Sequence, residues 1–260
     1  MTWHDVLAVA ELHPLGRLAE ASNLALVCEV EFGGERRRCV YKPVSGERPL
    51  WDFPDTALAA REVLTARLAQ ALGWDIVPAT VWRTDGPLGP GMCQEWVDHA
   101  GLEWVTLAPA GEVPPGWLEV AEGTAADGRR LILAHCDDRD LQRVVLLDAL
   151  ANNADRKGGH LLRRPDGRLA AIDHGVTLHA EPKLRTVLWG WAGQPVPAEL
   201  LDDVADGRTA CAEVLAEEPA GEWISDPERS AFAARTESLL SDGTFPVPGS
   251  GSPTLPWPPL

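Results

Sequence analysis

The chain has 260 residues with 45% hydrophobic and 24% charged positions, enough for one large or two small lobes and too long for a peptide-sized scaffold. A formal net charge of −16 and a pI near 4.8 leave no global positive field to hold a phosphate backbone, so nucleic acid is not the expected partner. No apolar run is long enough to span a bilayer and MTWHDVLAVAELHP lacks a basic leader before an apolar core, so a cytoplasmic chain without integral membrane contact is expected.

In chain order, LGRL, LALVCEVEF and RRRCVYKP read as three antiparallel strands, the first two separated by the small polar loop 19–23 and the last two by Gly33-Gly34. A Pro/Gly-punctuated loop follows, then a helix over 56–72 with Leu64, Leu68 and Leu72 on one stripe and Gly73 as its C-terminal cap. IVPATVWR and MCQEWV read as two further strands around the turn DGPLGPG, so five strands and one helix fill residues 1–97. The Pro/Gly-rich stretch LAPAGEVPPG then leads into helical patterning, clearest from Leu141 to Asn152. Residues 98–243 are expected to be mostly helical, apart from one hairpin. Residues 244–260, rich in Pro, Ser and Gly, are expected to be disordered.

Five cysteines (Cys28, Cys39, Cys93, Cys136 and Cys211) are spread without a CxxC pair and read as scattered core thiols. Three of the 23 basic residues are lysines: Lys42, Lys157 and Lys183. Where arginine is the default cation, a lysine marks a place that suits a compact point charge rather than a planar fork.

The segment DRKGGHLLRRPDGRLAAIDHG carries the most chemistry. Asp166-Gly167 reads as a two-residue type I′ turn, which pairs Pro165 with Arg168, Arg164 with Leu169 and, counted up the ladder, His160 with Asp173. Opposed positions hold their Cβ atoms about 4.5–5.5 Å apart, close enough for both side chains to touch one ion, although a slip of one residue would undo the pairing. Asp155 lies in the loop that enters the same end of the hairpin. Taken singly, an Asp caps turns and a His sits in strands. Together, two carboxylates, an imidazole, Arg156 and Lys157 make a divalent-cation site with a general base beside it, the arrangement that phosphoryl transfer uses.

An Asp-Arg in the loop after a helix, a ligand position five residues later, a hairpin and then Ile-Asp-x-Gly resembles the catalytic and metal-binding loops of the phosphatidylinositol 3-/4-kinase family, on whose plan bacterial HipA-type kinases are also built. The resemblance implies Asp155 as the catalytic residue, Asp173 as ligand of the ATP-associated metal, and His160 at a position where the family has a metal-binding Asn. An imidazole nitrogen there suits Mn²⁺ better than Mg²⁺, unless one metal is lost or Asn152 or Asn153 substitutes. The same departure would suit a nucleotide-binding pseudokinase.

A kinase-like fold requires a Lys on the third strand and a Glu on the next helix, and Lys42 and Glu62 meet that requirement. Ser22 and Asn23 in the first loop are expected to cover the phosphates, and main-chain groups of about Glu95 to Val97 to read the adenine. Lys183, Arg185 and Trp189-Gly190-Trp191 fall in the segment that selects the acceptor in such enzymes. The expectation is therefore a two-lobed α+β kinase-like fold that transfers phosphate from ATP, with Mg²⁺ or Mn²⁺, to a protein, peptide or small-molecule hydroxyl rather than a lipid. Asp155 would act on the acceptor, with Arg156 or Lys157 neutralising the transferred group. A pseudokinase or AMP transferase on the same fold is the alternative.

Overall fold

The computed structural model describes all residues except 1, 20, 22, 52, 54–57, 100–102, 218–219 and 251–252. It opens with a short helix that the sequence reading omitted, α1 (Trp3–Val9), whose start is a capping box: Asp5 N–H donates to Thr2 Oγ1 and Thr2 N–H to Asp5 Oδ2. Strands β1 (His13–Arg17), β2 (Leu26–Phe32), β3 (Glu35–Pro43), β4 (Thr80–Gly86) and β5 (Gly89–Glu95) form an antiparallel sheet ordered β1-β2-β3-β5-β4. Gly33 and Gly34, both at positive φ, turn β2 into β3.

Period-two alternation gives this sheet two apolar faces. Cys28, Val30, Cys39, Tyr41 and Cys93 cluster with Val6, Leu7 and Leu12 beneath α1, which the buried Arg83 ties down by donating to the Leu7 and Ala10 carbonyls at 2.8 Å each. The opposite face carries Met92, which packs against Ala59 and Val63 of α2 (Leu58–Ala71). Lys42 sits directly across from Met92, so it shares the face that meets α2.

Almost every turn of α2 is buried, because its far side meets the second half of the chain. Leu64, Leu68 and Leu72 belong to the largest core cluster, with α3 (Arg139–Ala151), α4 (Ala198–Ala216) and α6 (Asp226–Asp242); α5 (Ala220–Trp223) links the last two. At Gly207 of α4 a Cβ would lie 2.8 Å from the Ala71 carbonyl, so the missing side chain is what lets α4 approach α2. Glu47, upstream of α2, accepts the Leu58 and Ala59 N–H groups at 2.8 Å each and caps its first turn.

The second half is less helical than expected. Strands β6 (Val105–Pro109), β7 (Trp117–Thr124) and β8 (Arg130–Cys136) form a separate antiparallel sheet in order β6-β8-β7, where the sequence reading placed a linker and helix. Their turns carry the Pro and Gly residues that suggested a linker. The expected disorder of 244–260 is also corrected for the described residues. Phe245 is buried and exchanges backbone hydrogen bonds with Gly193 and Gln194, and Thr244 bridges Pro195. No helix among the described residues is long and apolar enough to cross a membrane.

Candidate active site

Three segments far apart in sequence meet at Lys42. Its Nζ lies 2.7 Å from Glu62 Oε1 on α2 and 3.1 Å from Asp173 Oδ1 beyond the hairpin. Burial by itself would lower the Lys42 pKa, but the two carboxylates outweigh it and hold the ammonium above its ordinary value. Glu62 is 3% exposed, and burial pushes its carboxyl up to about 7 despite the neighbouring cation. Its second oxygen is buried without a protein partner. Asp173 is half-exposed toward the cleft, and the Lys42 ammonium holds it well below the usual carboxylate range.

The hairpin that carries Asp173 is β9 (Leu161–Arg163) and β10 (Leu169–Ala171). Its register differs by one residue from the expected ladder: Arg163 faces Leu169 and Leu161 faces Ala171. Arg164 N–H donates to Arg168 O at 2.8 Å and Gly167 takes φ +87°, so the loop has three residues, with glycine in the left-handed position, rather than a two-residue turn. His160 and Asp173 are therefore not ladder partners. They meet all the same, because both lie past the ends of the strands. His160 closes a 3₁₀ turn (Gly158–His160), Ile172 N–H donates to its carbonyl at 2.9 Å, and Asp173 turns at φ +60°. That left-handed conformation, unusual for a residue with a side chain, brings Asp173 Oδ2 to 3.3 Å from His160 Nε2.

Burial lowers His160 to about 4, against the opposing pull of Asp173, so its ring is neutral at pH 7. Nδ1 accepts a long 3.4 Å hydrogen bond from Lys157 N–H, which leaves the ring hydrogen on Nε2, facing Asp173. Among the described residues no group of three His, Cys, Asp or Glu side chains gathers to hold a metal. Asp173 and His160 bring two donor atoms within 3.3 Å of each other, a pair that would suit an ion taking its other ligands from phosphate oxygens. Ligation through Nε2 requires the other tautomer and gives up the long Lys157 contact.

Asp155 is half-buried, its N–H donates to Asn153 Oδ1 at 3.0 Å, and Lys157 Nζ lies 3.2 Å from its Oδ2. Burial raises its carboxyl above the ordinary aspartate value, against Lys157. Arg156 does not join Asp155 and Lys157 at the cleft. Its guanidinium is wholly buried, bidentate to Asp148 of α3 at 2.8 and 2.9 Å and bonded to Ile172 O at 2.8 Å, with no surface left for a nucleotide. It anchors the loop that carries Asp155 to α3 and to the strand leading to Asp173. Nor do the two asparagines substitute for His160. Asn153 donates to Asp148 Oδ1 at 2.8 Å, and Asn152, at φ +56° after α3, holds the backbone of 179, 181 and 183.

At the other expected contacts, Ser22 lies outside the described residues. Asn23 Oδ1 accepts Arg48 N–H at 2.9 Å, which stitches the first loop to the segment after β3. Glu95 ends β5 with its carboxylate 3.4 Å from Arg164 on the hairpin loop, and Val97 is buried. The sequence reading missed Asp148, Arg61 and His174. Arg61, fully buried on α2, reaches Glu228 of α6 at 2.6 Å and the Thr177 carbonyl, tying the Glu62 helix to the segment after Asp173. His174 is fully buried with both ring nitrogens unpartnered, and burial keeps it neutral. Asp148 gave one signal, a carboxylate on the apolar side of an amphipathic helix.

The architecture matches solved kinases. A structure of the Golgi casein kinase aligns over 92% of this chain and 72% of its own with a TM-score of 0.55 at 14% identity. A second, with Mn and ADP bound, aligns over 92% and 74% with a TM-score of 0.57 at 13% identity. The chain thus has a kinase-like α+β fold, with an antiparallel sheet in its first half and most helices in its second. No family model matches it. It is 46% identical over 265 residues to protein Rv2133c of Mycobacterium tuberculosis (strain ATCC 25618 / H37Rv), covering 98% of this chain and 94% of that one, and belongs to the same family.

Proposed function

We propose that the protein is an ATP-dependent phosphotransferase of the phosphatidylinositol 3-/4-kinase-like type, acting on a protein, peptide or small-molecule hydroxyl. The observation that carries this reading is the Lys42 ammonium shared by Glu62 and Asp173, 20 and 131 residues away. A buried carboxylate fixes the lysine from behind and leaves its outer side to the cleft, the arrangement a kinase uses on nucleotide phosphates. The solved neighbour that holds Mn and ADP supports the choice of ligand.

In this reading Lys42 binds phosphate oxygens and Glu62 orients it. Asp173 and His160 hold a divalent ion, which when bound neutralises phosphate charge; the nitrogen donor favours Mn²⁺ over Mg²⁺. Asp155 receives the proton of the acceptor hydroxyl, and its raised affinity for protons suits that role at neutral pH. Lys157, 3.2 Å from Asp155, replaces Arg156 as the cation near the transferred group. The first loop with Asn23 covers the phosphates, and the main chain of Glu95 to Val97 meets the adenine.

Asp155→Asn tests it. The variant is expected to bind ATP as the wild type does, by thermal shift with Mn²⁺, and to lose at least about a hundredfold in phosphoryl transfer. Full turnover by the variant overturns the role. His160 favours one second reading, a nucleotide sensor without turnover: ATP would then stabilise the wild type, with no ADP formed under either ion.

A further inference from the structure

The last described residues, 253–260, lie on the seam between the loop that carries Asp155 and the segment after Asp173. The two sides of that seam are paired: Arg156 N–H donates to Arg185 O at 3.0 Å and Val187 N–H to Arg156 O at 3.2 Å. Across it, the Thr254 carbonyl accepts from Thr186 N–H at 3.1 Å and from Trp189 Nε1–H at 2.9 Å, and the Pro259 carbonyl accepts from Gly158 N–H at 2.8 Å. The Leu260 side chain, 47% exposed, lies over a shallow notch at Gly158. A Cβ at Gly158 would lie 2.6 Å from Leu260 Cδ2 and 3.2 Å from Val105 Cβ, so the notch exists because residue 158 is glycine.

In these three hydrogen bonds the floor donates and the segment accepts through backbone carbonyls, while the half-exposed Leu260 side chain lies over the notch. Such a floor suits a proline-rich peptide, which presents carbonyls without stranding N–H groups. The resident sequence, PTLPWPPL, has that composition. Trp257, at 87% exposed, faces away.

We infer that the floor formed by Val105, Gly158, Thr186 and Trp189 is a binding site for proline-rich peptides, occupied in cis by residues 253–260. Gly158 is three residues from Asp155, so a peptide on this floor touches the loop that carries the proposed base. On the phosphotransferase reading, on which this part rests, a peptide acceptor approaches here and displaces the tail.

A tethered segment competes at an effective concentration on the order of millimolar. If it is docked about nine-tenths of the time, free peptide binds about tenfold more weakly than the bare floor allows. The test uses the full chain and a fluorescent peptide of sequence PTLPWPPL, read by anisotropy. Leu260→Asp is expected to bind it up to about tenfold more tightly than wild type by that arithmetic. Leu260→Ala shifts affinity the same way by less, and Trp257→Ala leaves it unchanged. Adding Gly158→Leu to Leu260→Asp removes the gain. If neither Leu260 variant binds more tightly, or the gain survives Gly158→Leu, the site is overturned. Peptide binding gained without any peptide-dependent ADP release supports the site and overturns its role as acceptor approach.

Discussion

At His160 a neutral imidazole nitrogen stands 3.3 Å from Asp173, where an oxygen donor would suit Mg²⁺ better. Replacing it with Asn restores an oxygen donor at the same position. In His160→Asn the nucleotide affinity measured with Mg²⁺ is therefore expected to rise relative to that with Mn²⁺, about tenfold for the exchange of a soft for a hard donor. Glu62 permits a second residue-scale prediction. Its carboxyl titrates near 7 in the folded chain and near 4.5 when unfolded, so between these values the folded chain keeps a proton that the unfolded chain has released. Its contribution to stability is then complete below pH 4.5 and is lost as pH rises through about 7. Urea unfolding of wild type and Glu62→Gln at a series of pH values checks this: the difference between them should slope across that window and flatten on either side.

At the scale of elements, the site is held by buried charge. Asp148 and Arg156 are both fully buried and bidentate, and they fix the Asp155 loop between α3 and β10. Removing one partner leaves the other charge uncompensated, so Asp148→Leu should lower unfolding free energy by about 3–5 kcal/mol in denaturant titration. The five-strand sheet was legible because alternating strands end at clear turn signals, and Lys42 and Glu62 fell on their elements for that reason. Arg156 was misjudged because a loop arginine beside a catalytic aspartate reads as functional until its partner, eight residues back on a helix, is known. The hairpin register slipped because Asp-Gly serves both a two-residue turn and a three-residue loop with glycine left-handed. His160 and Asp173 still meet, through backbone turns that no ladder count describes. The β6-β8-β7 sheet was hidden because β7 is half-exposed along its length, and its edges carry the Gly and Pro of a linker.

At the scale of the molecule, the Glu62 helix is clamped rather than swung. Arg61 joins it to α6, Gly207 lets α4 press against its end, and Glu47 caps its start. This clamped helix holds the Lys42–Glu62 pair at 2.7 Å. The C-terminal segment was illegible for a related reason: Pro, Ser and Gly predict disorder when a segment must stand alone, whereas this one borrows its donors and its apolar notch from the folded body. The acidic composition leaves the few lysines conspicuous, and the proposed site is built on one of them. Calorimetric titration with ATP and Mn²⁺ tests that centre most directly. The account predicts one ATP bound per wild-type chain and at least about tenfold weaker binding by Lys42→Ala, the loss of one charge-assisted phosphate contact. Absence of binding by the wild type, or equal affinity of the variant, would contradict it.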